Sequence, residues 1–360
     1  MSLFCAHYLP CGSLHSTTTL VKWYLVKSSK INSQMLSSNR KITDIVKFIA
    51  ALLVVHGHTF MFYSGMPEAS RWLNLGAQCV SLFLFFSAYG LMCAYEKKGV
   101  TYLQGFIPRR IGRILIPLLT AYVISLPIYA VYRGSIDWTN VIGTLCWGGP
   151  YLRYSWYVTE IAVLYLLYYG CAKCSKNASQ LASMLTISVA LLMCAWFIAH
   201  QSVWYINGLP CFILGIWYQR YEKQILSIIS NRTPLLLCGT FLCFMLFFQW
   251  RFVKEAIPAF SAYRYEYAAT YLSNIFFVIM AVVFIGPINP KQSTLNLRLG
   301  GVIHSFYEIY LVQNAVMIVV TSFPMSFYCT WLLIMGGSVT IGYIMNCLNK
   351  KISSLLYYSF

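Results

Sequence analysis

Asp44, Lys47, His56 and His58 lie in the stretch Asp44-Ile-Val-Lys47-Phe-Ile-Ala-Ala-Leu-Leu-Val-Val-His56-Gly-His58, whose remaining residues are apolar or glycine. Ionisable side chains at membrane depth are costly to insert, so their presence in such a segment points to chemistry. At ~100° per residue, Lys47 and His58 fall ~20° apart on the helical wheel, Asp44 lies ~40° from His58, and His56 lies ~160° from it. One polar line therefore runs along one side of this helix and ends at His58. His56 faces the other side and reads as a helix-contact residue.

A histidine at that place suits general-base work, and a carboxylate beside it would fix its tautomer and stabilise the imidazolium. If the helix enters from the cytoplasm at Asp44, a rise of ~1.5 Å per residue lifts His58 about 21 Å, close to the outer face. The segment Ser155-Trp156-Tyr157-Val158-Thr159-Glu160 opens a span that runs inward, which sets Glu160 roughly one turn below the same surface. His58 and Glu160 are thus expected to meet as a catalytic pair. The competing reading has Glu160 snorkelling to the interface and His58 capping a helix contact.

A second polar layer lies at the cytoplasmic end. Phe106-Ile-Pro-Arg109-Arg110-Ile-Gly-Arg113 opens another span, and Arg110 and Arg113, three residues apart, share a helix face. Guanidinium pairs at a helix N-terminus suit phosphate, because the fork geometry and the helix dipole act together. Simple anchoring of the span by positive charge is the competing reading. Lys47 lies about one turn inside the same boundary. His304 and Glu308, spaced i, i+4 at the start of a later span, are placed either to join this basic mouth or to satisfy each other.

The elements that must carry these groups are membrane helices. The chain has 360 residues, 59% hydrophobic and 10% charged, more apolar surface than a soluble core of that length hides. A window of about 20 residues yields ten spans: 44–63, 73–95, 112–132, 156–171, 181–200, 203–220, 234–250, 267–286, 301–321 and 326–348. The fold class predicted is an all-α polytopic membrane helix bundle. With the first 43 residues inside, the cytoplasmic segments hold 19 of the 26 Lys and Arg residues, so both termini are expected in the cytoplasm. The net charge of +17 is then a matter of topology and anionic lipid, and no nucleic-acid partner is expected. Thirteen cysteines, paired in spacing only at Cys171-x-x-Cys174, read as small apolar fillers, so no metal is expected. Residues 1–39 read as an extension without a fold or as the product of an upstream start, with Met35 as the physiological first residue. Residues 40–350 form the transmembrane domain and 351–360 a cytoplasmic tail. Trp72, Trp138, Trp147, Trp156 and Trp204 fit an interfacial aromatic belt. Trp147-Gly-Gly-Pro-Tyr151 would alternatively line a sugar-binding entrance.

From Arg40 to Lys350 the chain resembles the membrane acyltransferase-3 family of integral-membrane O-acyltransferases. The basic residue, ten intervening positions and histidine of that family's first helix are matched by Lys47 and His58, which leaves His56 as an extra histidine. Its Arg-x-x-Arg signature is matched by Arg110 and Arg113. Its Trp-aromatic-aliphatic-x-x-Glu segment resembles Trp156-Tyr157-Val158-Thr159-Glu160, which has the single residue Thr159 between Val158 and the Glu. Ser81 to Leu91, Pro210 to Gly215 and Tyr307 to Gln313 resemble further landmarks. The family often has arginine where Lys47 stands, and lysine offers a point charge without the bidentate fork.

The resemblance implies a transferase that moves an acyl group, most often acetyl from cytoplasmic acetyl-CoA or another acyl-CoA, to a hydroxyl of a cell-envelope polysaccharide or lipid-linked glycan. It implies O-acetylation at the inner (cytoplasmic) membrane, with Arg110, Arg113 and Lys47 holding the donor phosphates. His58 would deprotonate the acceptor or carry the acyl group, and Glu160 would orient it. A ten-span transporter or a polysaccharide polymerase or ligase would also place ionisable groups in a bundle. The first is expected to show repeats and broken helices, and the second a large outer loop.

Overall fold

The computed structural model describes residue 36 and residues 40–62, 74–248, 263–288 and 300–358. The expected extension over 1–39 lies outside the described residues apart from Leu36, as do Trp72 and the basic residues Arg71, Arg251, Lys254, Lys291 and Arg298. The described residues form an all-α bundle without strands. Its helices are α1 (Arg40–Phe62), α2 (Gly76–Lys98), α3 (Phe106–Arg133), α4 (Val141–Trp147), α5 (Trp156–Cys174) and α6 (Ala178–Ile198), followed by α7 (Leu209–Phe248), α8 (Tyr263–Ile285), α9 (Gly300–Ile303), α10 (Phe306–Val320) and α11 (Phe327–Tyr358).

Seven of the described helices are long and apolar enough to cross a membrane, and α10 is a shorter apolar helix. Each of the ten apolar stretches expected from the sequence falls on helix, but the divisions differ in three places. The stretches 203–220 and 234–250 are joined in α7, 40 residues long, which departs from helical geometry at Tyr221 and Arg232. At ~1.5 Å per residue such a helix would overshoot a ~30 Å hydrocarbon core twofold, and the two breaks fall between the two apolar stretches. Residues 301–321 are instead split, because the chain leaves the helix at His304 and Ser305, whose hydroxyl donates to the Val302 carbonyl at 2.6 Å. The expected tail continues as helix, since α11 runs unbroken to Tyr358.

The connection between α3 and α5 carries α4, too short to cross a membrane. Asn140 immediately precedes it, and the turn there is tied by the Asp137 carboxylate, which accepts from Thr139 N at 3.0 Å and from Asn140 Nδ2 at 2.6 Å. Those bonds favour the charged form and hold the Asp137 carboxyl below its ordinary value.

Two helices occupy the middle. α2 packs against α1, α6, α7 and α8, and α10 packs against α1, α3 and α11. Helices that are apolar all round belong in the interior. In α10 every residue from Glu308 to Ile318 is buried. Close approach depends on glycine. A methyl at Gly215 on α7 would meet the Phe85 carbonyl oxygen of α2 at 2.4 Å, and one at Gly342 on α11 would meet Ile309 N of α10 at 2.8 Å. α1 lies between α2 and α10 and presents Ala51 and Val54, both fully buried, so the polar line of its sequence faces the bundle interior.

Candidate active site

The structure brings the three cations named from the sequence together. Lys47 of α1 and Arg110 and Arg113 of α3 line one cavity of about 340 Å³. Its other walls are Phe86 and Ser87 of α2, Tyr157 and Tyr165 of α5, and Phe306, Tyr307 and Tyr310 of α10. Arg110 is held from below, its Nε and Nη2 donating to the Tyr102 hydroxyl at 2.9 and 2.5 Å. Its guanidinium also lies 5.8 Å from the Tyr102 and Tyr165 ring centres. Arg109, one residue earlier, turns away and donates to the Tyr102 carbonyl. Lys47 Nζ sits over the Phe86 and Phe306 rings at 5.5 and 5.7 Å, and it pairs with Asp44 at 3.4 Å.

His304 and Glu308 do not satisfy each other. The break between α9 and α10 destroys their i, i+4 spacing, and His304 Nδ1 lies 3.6 Å from Asp44 Oδ2. Glu308 accepts instead from Asn349 Nδ2 of α11 at 3.4 Å.

A second cavity, of about 460 Å³, is lined by His58 and is the one expected toward the outer face. Around it stand Asn74 and Gln78, Arg153, Tyr154 and Trp156, Trp204 and Asn207, and Thr270 and Ser273 of α8. Tyr310 lines both this cavity and the inner one, so the cation-lined space and the histidine-lined space share a side chain. A shallower groove of about 430 Å³ opens beside the outer cavity, lined by Trp147, Gly148, Gly149 and Pro150 with Arg133 and Arg153. Arg153 is common to the groove and the outer cavity.

His58 and Glu160 are not hydrogen-bonded. Nδ1 of His58 lies 3.0 Å from Gln313 Oε1, and the ring stacks on Tyr154 with centroids 3.5 Å apart and planes at 5°. Glu160 is fully buried, and neither carboxylate oxygen has a hydrogen-bond partner among the described residues. It has Tyr157, Tyr205 and Tyr310 within electrostatic reach. Shared depth did not bring the two together, because the Tyr154 ring covers one face of His58 and α10 supplies its ring partner. His56 behaves as the wheel requires: it is buried, and its Nδ1 accepts from Trp331 Nε1 of α11 at 3.0 Å. Among the described residues, no group of three His, Cys, Asp or Glu side chains is arranged to hold a metal ion.

Gln313, Tyr154 and the tyrosines between the cavities carry no role in the sequence reading. The available signal was an amide, Gln313, in an apolar helix of only 15 residues, where each polar side chain needs a partner.

Fold and site define a polytopic membrane protein with two largely apolar cavities, one bearing cations and one a histidine, that share Tyr310 in their walls. The family model described as an acyltransferase domain matches residues 41–347, and the chain belongs to that family, the membrane acyltransferase-3 family. It is a multi-pass membrane acyltransferase. No curated protein and no solved structure matches the chain.

Proposed function

We propose that the protein transfers an acyl group, acetyl in the simplest case, from cytoplasmic acyl-CoA to a hydroxyl of a cell-surface or lipid-linked polysaccharide, working in the cytoplasmic membrane with both termini inside. The observation that carries this reading is the meeting of the two cavities at Tyr310. The inner one has the three cations that CoA phosphates need at the edge of hydrocarbon, and its tyrosine and phenylalanine walls suit a thin, mostly apolar arm. Lys47 and His58 are eleven residues apart on α1, so ~16 Å separates the phosphate end from the base.

The outer cavity suits a sugar. Amides and hydroxyls at Asn74, Gln78, Asn207, Thr270 and Ser273 answer sugar hydroxyls, and the Trp156 and Trp204 indoles offer flat apolar faces with a polar edge. The Trp147 groove extends the same surface outward and would take further units of a chain.

In the proposed step, His58 takes the proton of the acceptor hydroxyl while its oxygen attacks the thioester carbonyl. The new ester C–O bond forms, the C–S bond breaks, and the departing thiolate takes the proton from the imidazolium. Glu160 remains a site residue in this proposal because a fully buried carboxyl without a partner is costly unless function requires it.

The test uses membranes supplied with acetyl-CoA labelled in the acetyl group and with the host's own surface glycan. Wild type and His56→Ala are expected to transfer label. His58→Ala is expected to lose about 10²- to 10⁴-fold in rate, the usual contribution of a positioned base. Folded wild type that moves no label from acetyl-CoA or from longer acyl-CoAs would rule the proposal out.

A further inference from the structure

Gln313 is fully buried on α10 and makes two hydrogen bonds that decide which way its amide points. Its Nε2 donates to the Tyr310 carbonyl oxygen at 2.7 Å, an atom that can only accept. The amide oxygen is therefore the atom facing His58 Nδ1 at 3.0 Å. An amide oxygen also only accepts, so the hydrogen in that contact belongs to Nδ1. A neutral imidazole carries a single ring hydrogen, which leaves the lone pair on Nε2.

The ring is fixed as well as the tautomer. Tyr154 stacks on it, and the Tyr154 carbonyl accepts from the Tyr310 hydroxyl at 2.7 Å. Tyr310 thus braces both contacts of His58, orienting Gln313 with its carbonyl and holding the Tyr154 backbone with its hydroxyl.

We propose that Gln313 is the positioning residue that fixes His58 as the Nδ1–H tautomer and leaves Nε2 as the atom that takes the acceptor's proton. The chemical use of that lone pair rests on the acyl-transfer reading above, whereas the tautomer does not. An uncharged partner has a consequence that a carboxylate would not. It aligns the ring without neutralising the imidazolium, so the proton taken up by Nε2 is released readily to the leaving thiolate. Arg153 is the charged residue among the described residues lining the cavity with His58. Tyr154 and Tyr310 are the titratable ones, and the groups facing it from α2 and α8 are the uncharged Gln78, Thr270 and Ser273.

The tautomer is read by ¹⁵N NMR of the full chain in nanodiscs, with ¹⁵N-histidine, at a pH where the ring is neutral. His58 is assigned by comparison with His58→Ala. Wild type is expected to show a protonated Nδ1 and an unprotonated Nε2. In Gln313→Leu the ring should shift toward the Nε2–H form, and the turnover rate should fall by about 10²- to 10⁴-fold with KM for the acyl donor little changed. Gln313→Glu keeps an acceptor at Nδ1, so it should recover the Nδ1–H form and move the acid limb of the pH–rate profile upward, because a carboxylate favours the imidazolium. A purely structural Gln313 would move neither the tautomer nor that limb.

An Nε2–H form in wild type, or an unchanged Nδ1–H form in Gln313→Leu, would overturn the assignment. The expected tautomer in a folded wild type that transfers no acyl group would leave the Gln313 assignment standing and overturn the reaction instead.

Discussion

The three cations of the inner cavity are not equivalent, and their surroundings rank them. Lys47 already has Asp44 at 3.4 Å, so a phosphate must share it, whereas the Arg110 fork is pre-oriented by Tyr102. Arg110→Lys keeps the charge but loses the fork and the tyrosine contacts. It should raise KM for the acyl donor by about 10-fold or more, the worth of charge-assisted hydrogen bonds. Asp44→Asn should do the reverse and lower KM about two- to fivefold, since it releases Lys47 from a partly exposed pair worth ~1 kcal/mol or less. Steady-state kinetics with acyl-CoA varied at fixed acceptor measures both, and an unchanged KM in Arg110→Lys or a raised KM in Asp44→Asn would contradict this ranking. Glu160 calls for a different readout, because its carboxyl is buried without a partner. Glu160→Gln should leave thermal stability unchanged or raise it while transfer falls at least about 10-fold, the pattern of a group kept against its own desolvation cost. Stability lost in step with activity would make Glu160 a packing residue. Much of this inner layer was legible in the sequence, because Lys47, Arg110 and Arg113 all act through local helix geometry. The contact between His58 and Gln313 was not. The two residues are 255 positions apart, and helical spacing says nothing about which face of α10 turns toward α1.

At the scale of elements, ten apolar stretches could be read from composition, since burial in hydrocarbon imposes length and hydropathy directly. Their joints were less legible. A hydropathy window sees neither the departures at Tyr221 and Arg232 inside α7 nor the hydroxyl of Ser305 that ends α9. The second joint matters to the site, because it lets α10 start afresh and sit as a short helix in the middle of the bundle. Its position is set by α11, whose Gly342 leaves no room for a side chain against the Ile309 backbone. Gly342→Val should therefore push α10 away from α11, and it carries Tyr310 and Gln313 with it. The expected outcome is loss of transfer larger than the loss of stability, the latter in the range of ~1–3 kcal/mol for an overpacked contact. Gly336→Ala on the same helix, where a methyl meets nothing within 4 Å, should be near neutral in both. Thermal unfolding in detergent alongside the transfer assay separates the two outcomes, and equal behaviour of the two glycines would remove α11 as the support of the site.

For the whole molecule, the arrangement makes sense only if the two cavities open to opposite sides of the membrane. The basic residues expected inside and the placement of Arg113 and Arg153 at different cavities give a direct way to ask this. A cysteine at position 113 is expected to react with a membrane-impermeant thiol reagent only from the cytoplasmic side, and one at position 153 only from outside, in a background where the exposed native cysteines such as Cys174 and Cys329 are replaced by serine. Acyl-CoA should protect the first and leave the second unchanged, while a glycan acceptor should do the opposite. The Tyr310 partition adds a further expectation. Tyr310→Ala removes the side chain common to both cavities and the hydroxyl that holds Tyr154, so it should join the spaces and let water reach the thioester. Hydrolysis of acyl-CoA without acceptor should then rise relative to transfer, by about 10-fold if the tyrosine is the main barrier to water. Tyr310→Phe keeps the partition but not the hydroxyl, and should slow transfer without the rise in hydrolysis. If both variants hydrolyse at the wild-type rate, the two cavities are kept apart by something other than Tyr310, and the donor must reach His58 by another route through the bundle.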